Sequence, residues 1–437
     1  MIQYKIFPRN LSGSVILPGD KSISQRVSIL CGIADGQSHI SGFLNGHDSM
    51  STLIAMESLG VKYKFITDTE LIINGVNGHF KKPNKKLDLG NSGTGSRLLS
   101  GLISGIGLSV EIIGDKSLSS RPMDRITIPL ELMGAKIVFS EEKNTLPIRI
   151  ISSKLKGITY QMPIASAQVK SCLLFAGLYA DGITTIIEPS FTRDHTEKLF
   201  NLFNIPLDIN DRKISLKGFG KSGPKIKGRD IKIPGDFSSG AFWIVAVAGI
   251  VGSRLEIKNV GLNPKRIALL EVLKRMGAKI EIKFLNKNYD PYGTIFVEGT
   301  KLRGTVIQGD EIPNLIDELP IIAVAGSIAK GKTIIRGAEE LRFKESDRIS
   351  VMVKYLKLFG VNVIEKKDGM EITGAAQLIS PNKVLDSHDD HRIAMSLAIL
   401  NTFANDEITI KNVECVNTSY PNFWKHLNLL GGKAIKL

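Results

Sequence analysis

Six times along this chain an apolar helical pattern stops at a glycine, or once at an asparagine, and a β-like run begins. The copies read MESLGVKYKF (Met56–Phe65), ELMGAKIVF (Glu131–Phe139), NLFNIPLDI (Asn201–Ile209), LKRMGAKIEI (Leu273–Ile282), YLKLFGVNVI (Tyr355–Ile364) and LNLLGGKAIKL (Leu427–Leu437). The glycine, replaced by Asn204 in the third copy, follows the last helical turn. A left-handed backbone closes helices there, and Gly or Asn takes it most readily. Neighbouring copies lie 70 to 83 residues apart, longer than the units of solenoid repeats.

A second echo is a polar loop that opens a helix of small and apolar residues. It occurs as LPGDKSISQRVSILCGIA, LGNSGTGSRLLSGLISGI, MPIASAQVKSCLLFAGLYA, IPGDFSSGAFWIVAVAGI, DEIPNLIDELPIIAVAGSIA and LDSHDDHRIAMSLAIL, each followed by a turn and a β-rich run. The alternation predicts an α/β fold of sheets with helices packed on them. At 437 residues the chain is too long for one ordinary core. Six units therefore predict two domains of three, with a boundary near KGRDIKIPGDF (Lys227–Phe237).

The repeat also disposes of a tempting motif. GSIAKGKT (Gly326–Thr333) fits G-x-x-x-x-G-K-[ST], the phosphate loop that follows a strand and opens a helix. Here an apolar helical run precedes it and the β-branched TIIR follows, as in the ADG and VGS turns of other copies. The match is read as accidental.

Composition bounds the function. The formal net charge is +14, which suits a solvated basic face, nucleic acid or small anionic substrates. Aromatic residues make up 6% and do not interleave with the basic ones, which disfavours a nucleic-acid stacking surface. The densest basic stretch, KKPNKK (Lys81–Lys86), is read as a turn. Cys31, Cys172 and Cys415 form no CxxC pair, so neither a disulfide framework nor a Cys-rich metal site is expected. MIQYKIF lacks a signal-peptide core, and AFWIVAVAGIVG (Ala241–Gly252) is too short to span a bilayer. A cytoplasmic chain without a membrane partner is expected.

Unusual polar residues gather in the helix-opening loops. Lys21, Ser22 and Arg26 lie in PGDKSISQR; Asn91, Gly93, Thr94 and Arg97 in GNSGTGSR; Arg121 in SSRPMDR; Ser166 and Gln168 in PIASAQVK. LRFKESDR supplies Lys344, Glu345 and Arg348, and HDDHR ends in Arg392. Cations beside the free N–H groups of a helix start make a site for phosphate or carboxylate. Acids among them, Asp317 and Glu318 in DELP and Glu345 and Asp347 in KESDR, read either as salt-bridged helix surface or as proton-transfer groups. His388 and His391 are spaced to share a helical face, but no third metal-ligand cluster accompanies them.

Taken together, LPGDKSISQR, GNSGTGSRLL, the RP of SSRPMDR, ASAQVKSCLL, LRFKESDR and DDHRIAM resemble the 5-enolpyruvylshikimate-3-phosphate synthase family, in order and across essentially the whole chain. The resemblance implies two similar domains, each of three βαβαββ units with helices packed inside sheets, an inverse α/β barrel. It assigns residues 20–232 to one domain and 1–19 plus 233–437 to the other, with the active site in the cleft between them. The implied reaction moves the carboxyvinyl group of phosphoenolpyruvate to the 5-hydroxyl of 3-phosphoshikimate, without cofactor or metal, and a monomer acting on small anions is expected.

By the same resemblance, Asp317, Glu345 and Lys21 are catalytic. Lys21, Ser22, Arg26, Ser166, Gln168, Asp317 and Lys344 meet 3-phosphoshikimate. Lys21, Gly93, Arg121, Gln168, Arg348 and Arg392 meet phosphoenolpyruvate. Ala167 stands where many members carry a second serine, Glu340 where some carry Asn, and Thr418 where some carry Lys; these departures resemble a second subgroup. Arg193, in FTRDH, is the candidate for the missing phosphate contact. The nearest alternative, UDP-N-acetylglucosamine enolpyruvyl transferase, usually has a reactive Cys before its RPxD motif, and GDKSLSSRPMD has none.

Overall fold

The computed structural model describes residues 2–140, 144–286 and 289–437. The six helix ends read from the sequence are all left-handed: φ is 104° at Gly60, 101° at Gly134, 57° at Asn204, 97° at Gly277, 82° at Gly360 and 95° at Gly431. Each leads into an edge strand, the third strand of its repeat.

The repeat is easiest to follow where it is continuous. Leu87–Asp88 runs parallel to Val110–Ile113 after the helix Gly93–Ile106. The helix Asp124–Leu132 then leads to Lys136–Phe139, which turns back into Ile148–Ile151. Ile148–Ile151 inserts antiparallel between the second and third strands, so the sheet order is first, second, fourth, third. The described residues form six four-stranded sheets, all with this pattern of one parallel and two antiparallel pairings. This is the βαβαββ repeat that the family resemblance implies.

The chain divides into two compact units, Gly19–Ile233 and Met1–Pro18 joined with Pro234–Leu437. The opening strand of a repeat is exchanged at the crossings between them. Gly13–Ile16 precedes the helix Lys21–Ile33 but pairs with Arg254–Gly261, in its own unit. Ile231–Lys232 precedes the helix Phe237–Ala248 but pairs with Gln37–Ser41. In the last repeat Gln3–Phe7 supplies the fourth strand, between Ile408–Lys411 and Lys433–Lys436.

The opening helices form the interior. They are Lys21–Ile33, Gly93–Ile106 and Ala167–Gly177 in one unit, and Phe237–Ala248, Leu319–Ile328 and His391–Thr402 in the other. Every residue of Phe237–Ala248 and of His391–Thr402 is buried. Such all-round burial needs small residues that allow close approach and hydroxyls that bond inward. A Cβ on Gly101 would lie 2.1 Å from the carbonyl oxygen of Cys172, so the helices carrying these residues touch backbone to backbone. Ser28 and Ser100 donate to the carbonyls of Ser24 and Ser96, at 3.0 and 2.7 Å, which satisfies them without a partner helix. The second helix of each repeat is one-sided instead. Ala268–Arg275 buries Leu269, Leu270, Val272 and Leu273 and ends in Lys274 and Arg275, cations that suit a helix C-terminus.

Candidate active site

In the unit Gly19–Ile233 the three opening helices start beside one another, tied by side-chain hydrogen bonds. Their N-caps are Asp20, Ser92 and Ser166, each accepting from a first-turn N–H. Gln25 donates to Ser92 Oγ at 2.5 Å and to Thr52 Oγ1 at 3.2 Å. Gln168 donates to Thr94 Oγ1 at 2.9 Å. Arg26, almost fully buried, spreads its donors over Thr196 Oγ1, Ser171 Oγ and the Ser22 carbonyl, at 2.7, 2.8 and 2.9 Å. Three helix N-termini with their orphan N–H groups thus converge where the cations lie, an arrangement suited to phosphate or carboxylate.

The cations here are held from behind. Lys21 Nζ is 2.8 Å from Asp48. Arg121 donates to Asn91 Oδ1 at 2.5 Å and to Ser117 Oγ at 3.0 Å. Arg97 donates to the carbonyls of Gly93 and Pro122, both at 3.1 Å. Ser22 is half-buried at the start of its helix and Arg193 is half-buried just before the helix His195–Leu202.

The unit containing residues 234–437 repeats the motif with charge added. Its three opening helices have Asp236, Glu318 and Asp390 at their N-cap positions, the two aspartates accepting from first-turn N–H groups, and each acid faces an arginine. Arg266 lies 3.2 Å from Asp236, Arg392 3.6 Å from Glu318 and Arg348 2.8 Å from Asp390. Ser238 donates a short hydrogen bond to Glu318. Asp390 is used fully, because it also accepts from the N–H of Arg392 at 2.8 Å and from Ser346 Oγ at 2.9 Å.

Arg348 gathers the predicted proton-transfer groups. Its Nη2 is 2.6 Å from Glu345 Oε2 and its Nη1 3.8 Å from Asp317 Oδ1. Asp317 Oδ2 also lies 3.8 Å from Arg266. Burial opposes the Arg348 charge, but Asp390, Glu345 and Asp317 outweigh it and hold the guanidinium above its ordinary value. Burial pulls the Lys344 ammonium below its ordinary value; Asp317 and Glu340 pull the other way, and Arg348 adds to the lowering. The structure therefore gathers Asp317, Lys344, Glu345, Arg348 and Arg392 in one unit, and Lys21, Ser22, Arg26, Gly93, Arg121, Ser166, Gln168 and Arg193 in the other.

Several expectations need correction or completion. His388 and His391 do not share a helical face. His388 sits in a turn with φ 56°, next to Tyr355, and the helix begins only at His391. Among the described residues no three His, Cys, Asp or Glu side chains gather as a metal cluster. LRFKESDR opens a second helix of its repeat, Arg348–Leu358, rather than a buried opening one. Thr418 donates to the Cys415 carbonyl at 2.7 Å, within its own loop. Burial raises the Cys31 and Cys415 thiols to about 12, far from a thiolate nucleophile. The segment Gly326–Thr333 is a helix end, a turn and a strand start, with Lys332 3.6 Å from Glu371. No helix is long and apolar enough to cross a membrane, among the described residues. The sequence reading missed Asp48, Asp236 and Arg266 altogether. Asp236 is marked locally only as a helix cap, through the Ser238 N–H; the ion pairs of all three join groups at least 27 residues apart.

Comparisons with known proteins add the family. The profile described as EPSP synthase (3-phosphoshikimate 1-carboxyvinyltransferase) matches residues 7–427. A 3-phosphoshikimate 1-carboxyvinyltransferase of Akkermansia muciniphila is 44% identical over 429 residues, which cover 96% of this chain and 97% of that one. That of Thermodesulfovibrio yellowstonii is 45% identical over 425 residues, covering 97% and 98%. The solved EPSP synthase of Acinetobacter baumannii superposes over 100% of both chains with a TM-score of 0.87 and 40% identity. The enolpyruvyl transferase NikO of Streptomyces tendae has a TM-score of 0.79 over 100% of this chain and 99% of its own; at 16% identity the likeness is one of fold.

Proposed function

The chain belongs to the EPSP synthase family, and from that premise we infer how its residues carry the reaction. The enzyme is a 3-phosphoshikimate 1-carboxyvinyltransferase of the shikimate pathway. It transfers the enolpyruvyl group of phosphoenolpyruvate to the 5-hydroxyl of 3-phosphoshikimate and releases phosphate. An acceptor of the UDP-N-acetylglucosamine kind is not favoured.

In this reading Asp317 takes the proton of the 5-hydroxyl as its oxygen bonds to C2 of phosphoenolpyruvate. Glu345 gives a proton to the methylene carbon, C3, and the tetrahedral adduct forms. Glu345 then recovers a proton from C3 while the bond between C2 and the phosphate oxygen breaks. The proton held on Asp317 departs with the phosphate. Both steps move charge onto phosphate and carboxylate oxygens, and fixed cations stabilise that charge without reorganising. Arg348, Arg392, Arg121 and Lys21 serve phosphoenolpyruvate together with Gly93 and Gln168. Ser22, Arg26, Ser166, Gln168, Arg193, Lys21 and Lys344 serve 3-phosphoshikimate. The same reading has the protein work as a monomer in the cytoplasm, on small anions rather than nucleic acid.

The observation that supports these roles best is the single buried guanidinium of Arg348 between Asp317 and Glu345. It keeps the two proton-transfer groups of one reaction in one electrostatic unit. The test is phosphate release from phosphoenolpyruvate with 3-phosphoshikimate or UDP-N-acetylglucosamine as acceptor, without added metal. Release with 3-phosphoshikimate alone is expected, and loss of release in Asp317→Ala and Glu345→Ala proteins that still fold. Turnover by either folded variant at the wild-type rate would remove that residue from the mechanism.

A further inference from the structure

Behind the helix start at Ser166 lies a buried ion cluster that the reaction does not use. Lys170, fully buried in the helix Ala167–Gly177, has its Nζ 3.1 Å from Glu188 Oε2 and 2.6 Å from Glu197 Oε1; those side chains are 1% and 6% exposed. Glu188 follows the strand Ile183–Ile187, and Glu197 lies in the first turn of the helix His195–Leu202. The lysine thus clasps both ends of the segment between strand and helix, the segment that carries Arg193.

The clasp extends toward two of the cations assigned to the acceptor, Arg193 and Arg26. The other oxygen of Glu188 accepts from the N–H of Thr192 at 3.2 Å and from the Thr192 hydroxyl, one residue before Arg193. Beside Glu197, Thr196 accepts from Arg26 Nε at 2.7 Å and lies 2.7 Å from the Ser171 hydroxyl, which in turn accepts from Arg26 Nη2. Ser171 adjoins Lys170. A buried ion cluster is a poor source of stability, since apolar side chains of equal volume pack there at no loss. What it supplies is a fixed geometry.

We propose that Lys170, with Glu188 and Glu197, is a positioning group for the phosphorylated acceptor: it fixes Arg193 on its loop and Arg26 through Thr196. This rests on the function assigned above. It also accounts for how a chain with Ala167 in place of a hydroxyl holds a phosphomonoester, by ordering a loop arginine.

The test uses the neutral triple variant Lys170→Met, Glu188→Gln, Glu197→Gln, which removes the ions and keeps the volume, so that the fold is retained. A single Lys170→Met, which strands two buried carboxylates, serves only to show the folding cost. KM for each substrate and kcat are measured for wild type, the triple variant, Arg193→Ala and the two combined. The triple variant is expected to raise KM for 3-phosphoshikimate about tenfold, the loss of roughly one charge-assisted hydrogen bond, with KM for phosphoenolpyruvate and kcat within about twofold. Combined with Arg193→Ala it should add far less than tenfold. An unchanged KM for 3-phosphoshikimate in the triple variant, equal losses for both substrates, or full additivity with Arg193→Ala would each overturn the inference while leaving the reaction in place. A folded wild type that does not turn over 3-phosphoshikimate would overturn the function itself, and this with it.

Discussion

A methyl group on Gly93 would sit 3.0 Å from Arg97 Nη1 and 3.1 Å from Arg121 Nη1. Both arginines have flexible ends, and alanine suits a first helical turn, so Gly93→Ala should fold normally. It should instead displace Arg121 by a few tenths of an ångström. The expected outcome is a several-fold rise in KM for phosphoenolpyruvate with kcat for saturating substrate nearly kept, and unfolding within about 1 kcal/mol of wild type; an unchanged KM would separate Arg121 from that substrate. Lys344 gives a pH prediction. Its charged form is disfavoured in the folded protein, so it loses its proton at a lower pH than an exposed lysine. An anion held by that ammonium is therefore lost as pH rises, and the alkaline limb of kcat/KM begins below the ordinary lysine range. Lys344→Arg, whose guanidinium stays charged, should move that limb upward in a pH–rate profile. An unmoved limb would show that another group sets it. The candidate site was legible in the sequence to the extent that its groups sit in contiguous loops, as Lys21 to Arg26 and Lys344 to Arg348 do. The groups that hold them were not, because Asp390 reaches Arg348 across 42 residues and Asp48 reaches Lys21 across 27.

The two threefold sets of helix starts differ in one respect that has consequences for stability. The unit with Asp20, Ser92 and Ser166 leaves its N-termini with mainly neutral caps, whereas the other places Asp236, Glu318 and Asp390 there and sets an arginine on each. Asp390 is the most heavily used of these. Asp390→Ala removes a cap and leaves the buried Arg348 short of its main partner, and denaturant unfolding should show a loss of about 3–5 kcal/mol. Asp390→Asn keeps an acceptor for the Arg392 and Ile393 N–H groups and should recover about 1 kcal/mol of that. Equal stabilities for the two variants would mean that the charge on Arg348, not the cap, holds the helix start. At this scale the sequence was most readable where structure is most local. Each helix end from Gly60 to Gly431 is set by one residue's φ, and the turn at Gly331 could be told from a phosphate loop by the patterns on either side. Which opening strand joins which sheet was beyond periodicity. Gly13–Ile16 and Ile231–Lys232 are both short β-like runs before a polar loop, and nothing within either names its partner.

All three sheets of the unit Gly19–Ile233 are built from its own uninterrupted stretch of chain, closed by Ile231–Lys232. Residues 19–233 expressed alone should therefore fold, with a cooperative thermal transition and a circular dichroism spectrum of mixed helix and strand; a chain ended before Ile231 should melt lower. Absence of any cooperative transition in 19–233 would mean that this unit depends on the rest of the molecule. The other unit has no such independence, because Gln3–Phe7 and Gly13–Ile16 belong to sheets whose remaining strands lie between residues 254 and 436. On the ribosome these two segments emerge well before their partners exist. At about 5–20 residues per second they wait on the order of tens of seconds, while the intervening unit has already had time to form. Gln3–Phe7 is placed only when Lys433–Lys436 has been synthesised, so a nascent chain released early keeps an unpaired strand that quality-control proteases can seize.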